Sequence, residues 1–235
     1  MTEIPKIIHQ IWSGIDGPLP ELFRQFGETW KACHPYWEYQ FWDNDRMNKF
    51  IDTFYPSSLN TYHSFQYEIQ RRDAIRYLIL DRLGGLYVDF DVECLRPHDS
   101  LIQSKTCCFS LEPEIHRLNF NMPLLFNNAL MASIPEHPFM KKIIETVFSY
   151  MPKTESLSEG LRRMEVLKTT GPFMLVDTYE RYAQKEQVYL IPAKHVSPLN
   201  MNELAALKRG YGYEAFDGKI KNAYSVHYFW GSWWL

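Results

Sequence analysis

Gly84-Gly85-Leu86-Tyr87-Val88-Asp89-Phe90-Asp91 places a paired-glycine turn, a short apolar run and two carboxylates in immediate succession. The run from Leu86 to Asp91 reads as a buried strand, with the aspartates at its C-terminal end. They flank one apolar residue, so in extended backbone both point to the same side. Two carboxylates so placed can hold a hard divalent cation, and such a cation can hold the phosphates of a nucleotide. An Asp-x-Asp pair carries little by itself, because many are solvated turns. Its surroundings decide the matter.

Upstream, the spacing from about Phe65 to Leu83 is helical and stops at Gly84-Gly85. Asp73 and Arg76 lie three apart on that helix and share a face. In isolation they would be a surface ion pair worth about a few tenths of a kcal/mol. Here the helix runs through the glycine turn straight into the aspartate strand, which brings its polar face toward the same cleft. An arginine beside a metal-diphosphate site would neutralise phosphate or hold a sugar hydroxyl, and the aspartate could accept from sugar hydroxyls.

Outward from this core, strands and helices alternate. Ile7 to Trp12 reads as a first strand ending at Ser13-Gly14, and Pro20 opens a helix to about Trp30. Trp37 to Trp42 reads as a strand, and Asp43-Asn44-Asp45 turns into a helix over about Met47 to Phe54. Cys107 to Leu111, Pro123 to Ala132 and Val188 to Ile191 read as strands. Pro138 to Tyr150 and Thr170-Gly171-Pro172 to about Tyr182 read as helices, and the polar Pro152 to Gly160 as a loop. This order predicts one α/β layered domain over residues 1–235, with a largely parallel sheet.

The composition agrees with a packed globular chain: 235 residues, 46% hydrophobic and 16% aromatic. Seven Trp and fifteen Tyr exceed what a core needs, so some are expected to wall a cleft for flat or ring-shaped ligands. A net charge of -3 with interspersed signs gives no basic field for nucleic acid. Cys33, Cys94, Cys107 and Cys108 show no metal-ligand spacing, and a reducing cytoplasm is the simplest setting. The start of the chain carries no secretion signal, and no apolar run approaches the roughly 20 residues that span a bilayer. The aromatic run Tyr228 to Leu235 could touch a membrane peripherally; a lid or core plug is the plainer alternative.

Asp73-Ala74-Ile75-Arg76-Tyr77 followed by Leu83 to Asp91 resembles the Asp-containing sugar-binding region of glycosyltransferases. The likeness is to glycosyltransferase family 32, which includes a yeast initiating mannosyltransferase and capsule and viral enzymes, and more distantly to clostridial glucosylating toxins. Pro5 to Gly14 resembles the family's opening motif, and Thr170-Gly171-Pro172 and His227…Gly231-Ser232-Trp233 its later ones. The resemblance spans nearly the whole chain. It implies a GT-A nucleotide-sugar-binding fold, Rossmann-like with a mixed, mainly parallel sheet, a divalent metal (Mn²⁺ or Mg²⁺) and retention of anomeric configuration.

Carried over by position, Asp91 would ligate the metal, and Asp89 would contact donor sugar or ribose hydroxyls beside it. Asp73 and Arg76 would hold the transferred sugar, Tyr87 would lie near the nucleotide, and Trp12 would stack on the base if it is not simply core. His227 is a further candidate metal ligand, with a packed histidine as the alternative. Asn127 and Asn128 would face the donor or else bond to backbone. Ser232 with Trp233 or Trp234 would close over the diphosphate.

The resemblance implies transfer of a hexose from a UDP- or GDP-sugar to a hydroxyl of a glycan, lipid-linked or protein acceptor. Acceptor docking is expected on the loops near Glu112 to Asn121 and Pro152 to Gly160. Two rival classes fit the pattern less well. A haloacid-dehalogenase-type phosphatase would need the Asp-x-Asp on its first strand, and a carbohydrate-binding module would leave the four charged residues without joint purpose.

Overall fold

The computed structural model describes residues 3–15, 17–149, 158–211 and 213–231. Its strands are β1 (Ile7–Ile11), β2 (Glu38–Trp42), β3 (Gly85–Val88), β4 (Val92–Cys94), β5 (Cys107–Leu111), β6 (Phe126–Ser133), β7 (Tyr189–Ile191) and β8 (Ser225–His227). Six of them form a sheet in the order β2-β1-β3-β6-β5-β7, and β4 pairs with β8 in a separate ribbon. In the six-stranded sheet β6 alone runs antiparallel to its neighbours, so the sheet is mixed and mainly parallel, as the alternation predicts.

The helices, in order, are α1 (Glu21–Cys33), α2 (Asn44–Phe54), α3 (Leu59–Ser64), α4 (Glu68–Leu83), α5 (Asp99–Ile102) and α6 (Glu114–Asn119). They continue with α7 (Pro138–Phe148), α8 (Glu159–Thr169), α9 (Pro172–Arg181), α10 (Ala193–Val196), α11 (Met201–Lys208) and α12 (Tyr213–Ile220). Most of α4 is buried, and β3 and β6 are buried on both faces. Strand alternation then sorts the core. Tyr87, Phe109 and Met131 pack with α4, α7 and α9 on one face; Leu86, Val88, Cys108 and Leu130 pack with Trp30 of α1 on the other.

The paired glycines have separate reasons. Gly84 has φ 64° and Gly85 φ 99°, both in the region that favours glycine. A Cβ at Gly85 would meet the Ile7 carbonyl oxygen at 2.6 Å, and one at Gly84 would meet the Pro135 ring at 2.7 Å. His9, from the opening motif, is wholly buried and fixes this turn: its Nε2 lies 2.9 Å from the Gly84 oxygen, and its Nδ1 accepts from Trp42 Nε1. Burial holds the imidazole neutral, its pKa lowered to about 4.

Several boundaries differ from expectation. The strand predicted through Asp91 ends at Val88, because Asp89 to Asp91 form a turn closed by Val92 N–H donating to the Asp89 oxygen. The common orientation of the two aspartates is therefore not a consequence of pleating. The long helix from Phe65 begins instead at Glu68, where the Gln70 side chain accepts from Tyr67 N–H and caps it. The strand expected from Pro123 starts at Phe126. The polar stretch predicted as a loop from Pro152 lies outside the described residues up to 157, and its end opens α8, whose buried side chains Val166 and Leu167 come late.

Candidate functional site

Five strands end on the same edge of the sheet, and a cavity of about 430 Å³ opens there. Asp73, Arg76, Tyr87, Asp89 and Asp91 line it together with Trp12, Asn127, Asn128 and His227. The chain thus brings together all of the predicted site residues that are described; Ser232, Trp233 and Trp234 lie outside the described residues.

Arg76 is the hub. Asp89 shares the Tyr87 face of β3, opposite α4, and so meets the helix's polar stripe. The guanidinium lies 3.3 Å from Asp73 Oδ1 and 3.3 Å from Asp89 Oδ1, donates to the Asn128 carbonyl at 3.0 Å and covers the Tyr87 ring at 4.7 Å. The side chains of Asp73 and Arg76 are only 6% exposed, whereas Asp89 keeps 30% of its surface open to the cavity. That difference separates a buried support from a group a ligand can touch.

Asp73 is saturated. Asn128 Nδ2 donates to its Oδ1 at 2.9 Å, and Thr170 Oγ1 donates to its Oδ2 at 2.8 Å. Tyr77 completes the net, accepting from Asn128 and donating to the Thr170 oxygen. The Thr170-Gly171-Pro172 motif thus serves Asp73 from 97 residues away. Burial raises the Asp73 carboxyl to about 6, with Arg76 and Thr170 holding it from going further. Burial also raises Asp89, Arg76 pulling it back and the neighbouring Asp91 pushing it up.

Asp91 is held by the end of the chain rather than by the sheet. Its backbone oxygen accepts from Tyr228 N–H at 2.9 Å and its Oδ2 from Trp230 N–H at 2.8 Å. The β4–β8 ribbon sets Val92 opposite His227, so His227 Nε2 lies 3.5 Å from Asp91 Oδ2. Burial favours the neutral acid, yet His227 and the Trp230 N–H hold Asp91 below the usual carboxylate range. Burial likewise works against imidazolium, and Asp91 more than offsets it, so His227 is raised. Phe229, at a left-handed φ of 47°, folds its ring to 3.9 Å from the His227 ring.

These residues suit a hard divalent cation. His227 Nδ1 is buried without a hydrogen-bond partner among the described residues, and the set combines carboxylate oxygens with one imidazole. Asp91 and His227 are the pair that meets. Asp89 turns to Arg76 and to the Tyr87 hydroxyl, which donates to its Oδ1. The site is open, with room for phosphates and water to complete a coordination shell. A three-membered group lies elsewhere: ligand atoms of His34, Cys94 and His98 all fall within 4.8 Å of one another. There, however, His34 Nδ1 meets the Trp30 oxygen at 3.1 Å and His34 Nε2 accepts from His98 N–H at 2.8 Å. That group is satisfied by the protein.

Of the remaining predictions, Trp12 lines the cavity while donating to the Gly17 oxygen and packing edge-on to Phe23. Asn127 and Asn128 bond to side chains rather than to backbone alone: Asn127 donates to Glu112 Oε1 at 2.6 Å. Sequence reasoning missed Glu112 and His116 as a pair, 2.6 Å apart and both on the cavity wall. Their four-residue spacing was a usable signal. Trp230, from the aromatic run expected as a lid or core plug, lines the cavity.

Residues 20–108 match the family model described as a glycosyltransferase sugar-binding region containing a DXD motif. A mannosyl phosphorylinositol ceramide synthase of Saccharomyces cerevisiae is 33% identical over 76% of this chain and 43% of its own length. An inositol phosphoceramide mannosyltransferase of Schizosaccharomyces pombe is 28% identical over 82% of this chain and 57% of its own. The chain spans about half the length of the curated relatives it matches. The solved PaToxG glycosyltransferase superposes with a TM-score of 0.54 at 18% identity, over 77% of this chain and 70% of that one, which shows a shared GT-A fold. With its Asp-x-Asp turn, its mixed sheet and these relatives in agreement, the chain belongs to the glycosyltransferase family that carries the DXD-containing sugar-binding region.

Proposed function

We propose that the chain moves mannose from GDP-mannose to a hydroxyl on the polyol headgroup of a lipid, with retention of configuration and with Mn²⁺ or Mg²⁺ bound. What carries this reading is the meeting of the Asp73–Arg76–Asp89 network and the Asp91–His227 pair on one cavity wall. The choice of mannose and of a lipid follows the names of the relatives, which are ceramide mannosyltransferases. With the family established, the phosphatase and binding-module alternatives fall away.

Asp91 and His227 would hold the cation, which when bound supplies positive charge to the leaving diphosphate. Asp89, open to the cavity and oriented by Arg76 and Tyr87, accepts from donor hydroxyls. Arg76 fixes Asp89 and Asp73 while remaining charged. Trp12 offers a flat face to the base. Neither buried carboxylate is a free nucleophile. Asp73 accepts from Asn128 and Thr170, and Glu112 accepts from Asn127 and faces His116, so each has both oxygens engaged. This favours a front-face transfer, in which the departing phosphate takes the proton of the acceptor hydroxyl. Incubation of the protein with Mn²⁺ and GDP-mannose, UDP-glucose or UDP-galactose should release mannose fastest. Release of no sugar from any of them would overturn the assignment.

A further inference from the structure

Phe120, Met201 and Trp230 line the cavity and yet are 40, 44 and 42% exposed. A side chain can satisfy both conditions only at the rim, so these three surround the mouth. The apolar surface continues along α6, where Ile115 and Leu118, three residues apart and on one side of the helix, are 37 and 55% exposed. His116 lies between them and accepts from Met201 N–H at 3.1 Å, which ties α6 to the start of α11 and makes the two helices one surface. Contiguous exposed apolar side chains around a functional opening mark a contact surface more often than a face turned only to water.

Charge identifies the partner. Lys208, at the end of α11, places its Nζ 4.0 Å over the Trp230 ring, and Arg209 follows it directly. Residues 193–224 carry five Lys and Arg against three Asp and Glu, although the chain as a whole has a net charge of -3. The mouth is thus apolar at its edge, with Lys208 beside Trp230 on its α11 side and Glu114 neutralised by Arg117 on α6. Among the described residues no helix is long and apolar enough to cross a membrane, so contact of the described part with a bilayer would be made at its surface.

We propose that α6 and α11 dock on an anionic lipid bilayer. Ile115, Leu118, Phe120 and Trp230 enter the boundary between headgroups and acyl chains, and Lys208 and Arg209 face lipid phosphates. Docked in this way, the mouth opens onto the headgroup layer, and an acceptor headgroup reaches Asp89 and Asp91 without leaving the bilayer. The inference rests on the transferase reading of the cavity and adds where the acceptor is presented.

Vesicle flotation tests it. The protein should float with phosphatidylcholine vesicles containing about one quarter phosphatidylinositol, float less with phosphatidylcholine alone, and be released as salt rises. Ile115→Glu combined with Leu118→Glu should lower vesicle partitioning about tenfold or more. Leu118→Ser should lower it less, in the same direction. Neither residue lines the cavity, so both variants should keep the wild-type thermal shift with GDP-mannose and Mn²⁺, which also shows that they are folded. Absence of that shift in the wild type would count against the transferase reading, and flotation would still decide the docking. Wild-type protein that floats with neither vesicle, or a double variant that floats as well as wild type, overturns the proposal.

Discussion

The Asp91–His227 pair and the His34–Cys94–His98 group are both buried clusters of metal-ligating side chains, and they stand in opposite states. The second is the larger, with three ligand atoms within 4.8 Å of one another, yet its histidines are spent on the Trp30 oxygen, the His98 N–H and neighbouring side chains. The first has only two members, with Asp91 Oδ2 and His227 Nε2 3.5 Å apart, but it faces a cavity. Proximity of ligand types does not make a site. Open volume beside the ligand atoms does, because only there can a ligand reach them.

The largest effect away from the pair itself is expected at Arg76. Arg76→Gln removes the cation between Asp73 and Asp89 and leaves a buried carboxylate uncompensated, a loss of about 3–5 kcal/mol in stability. Turnover measured below the lowered unfolding midpoint should also fall ~100-fold or more, since Asp89 loses its orienting partner. Unchanged turnover with lowered stability would reduce Arg76 to a packing role.

The histidine group should respond in the opposite way, through stability alone. Burial lowers His98 to about 3 and His9 to about 4 from an ordinary 6.5. Unfolded imidazoles bind protons near pH 6.5 while these folded ones do not. The stability they contribute is therefore present above pH 6.5 and lost as pH falls from there toward 3. Thermal unfolding followed from pH 7 to 4 should show a falling midpoint, and in a variant carrying Asp91→Asn and His227→Ala added Zn²⁺ at pH 7 should leave the midpoint unmoved. A clear rise with Zn²⁺ would make His34, Cys94 and His98 a metal site and erase the contrast.

How much of this was legible in the chain differs between the two clusters. Asp73, Arg76, Asp89 and Asp91 lie within 19 residues on one helix, one turn and one strand, so local spacing exposed them. The glycine pair was readable as a stop signal, although the close approach to Ile7 and Pro135 that requires it was not. The strand end at Val88 was not legible, because Phe90 continues the apolar pattern while packing against α1 beyond the sheet. Thr170 and His227 showed as motif residues, but their partners Asp73 and Asp91 stand 97 and 136 positions away. Three-residue strands such as β4 and β8 leave too little periodicity to reveal the pairing. The His34–Cys94–His98 group joins α1 to β4 across a similar gap and gave no local sign at all.

We propose that Asp91, clamped by the returning chain and paired with His227, is the metal-dependent anchor of the donor diphosphate. Calorimetric titration of GDP-mannose into wild-type protein and into Asp91→Asn, each with Mn²⁺ and with the metal chelated, tests this directly. The prediction is Mn²⁺-dependent binding by wild type, weakened ~100-fold or more in Asp91→Asn and in chelator, with a folded variant as judged by its circular dichroism. Equal affinity in wild type and variant, or binding indifferent to Mn²⁺, would contradict it.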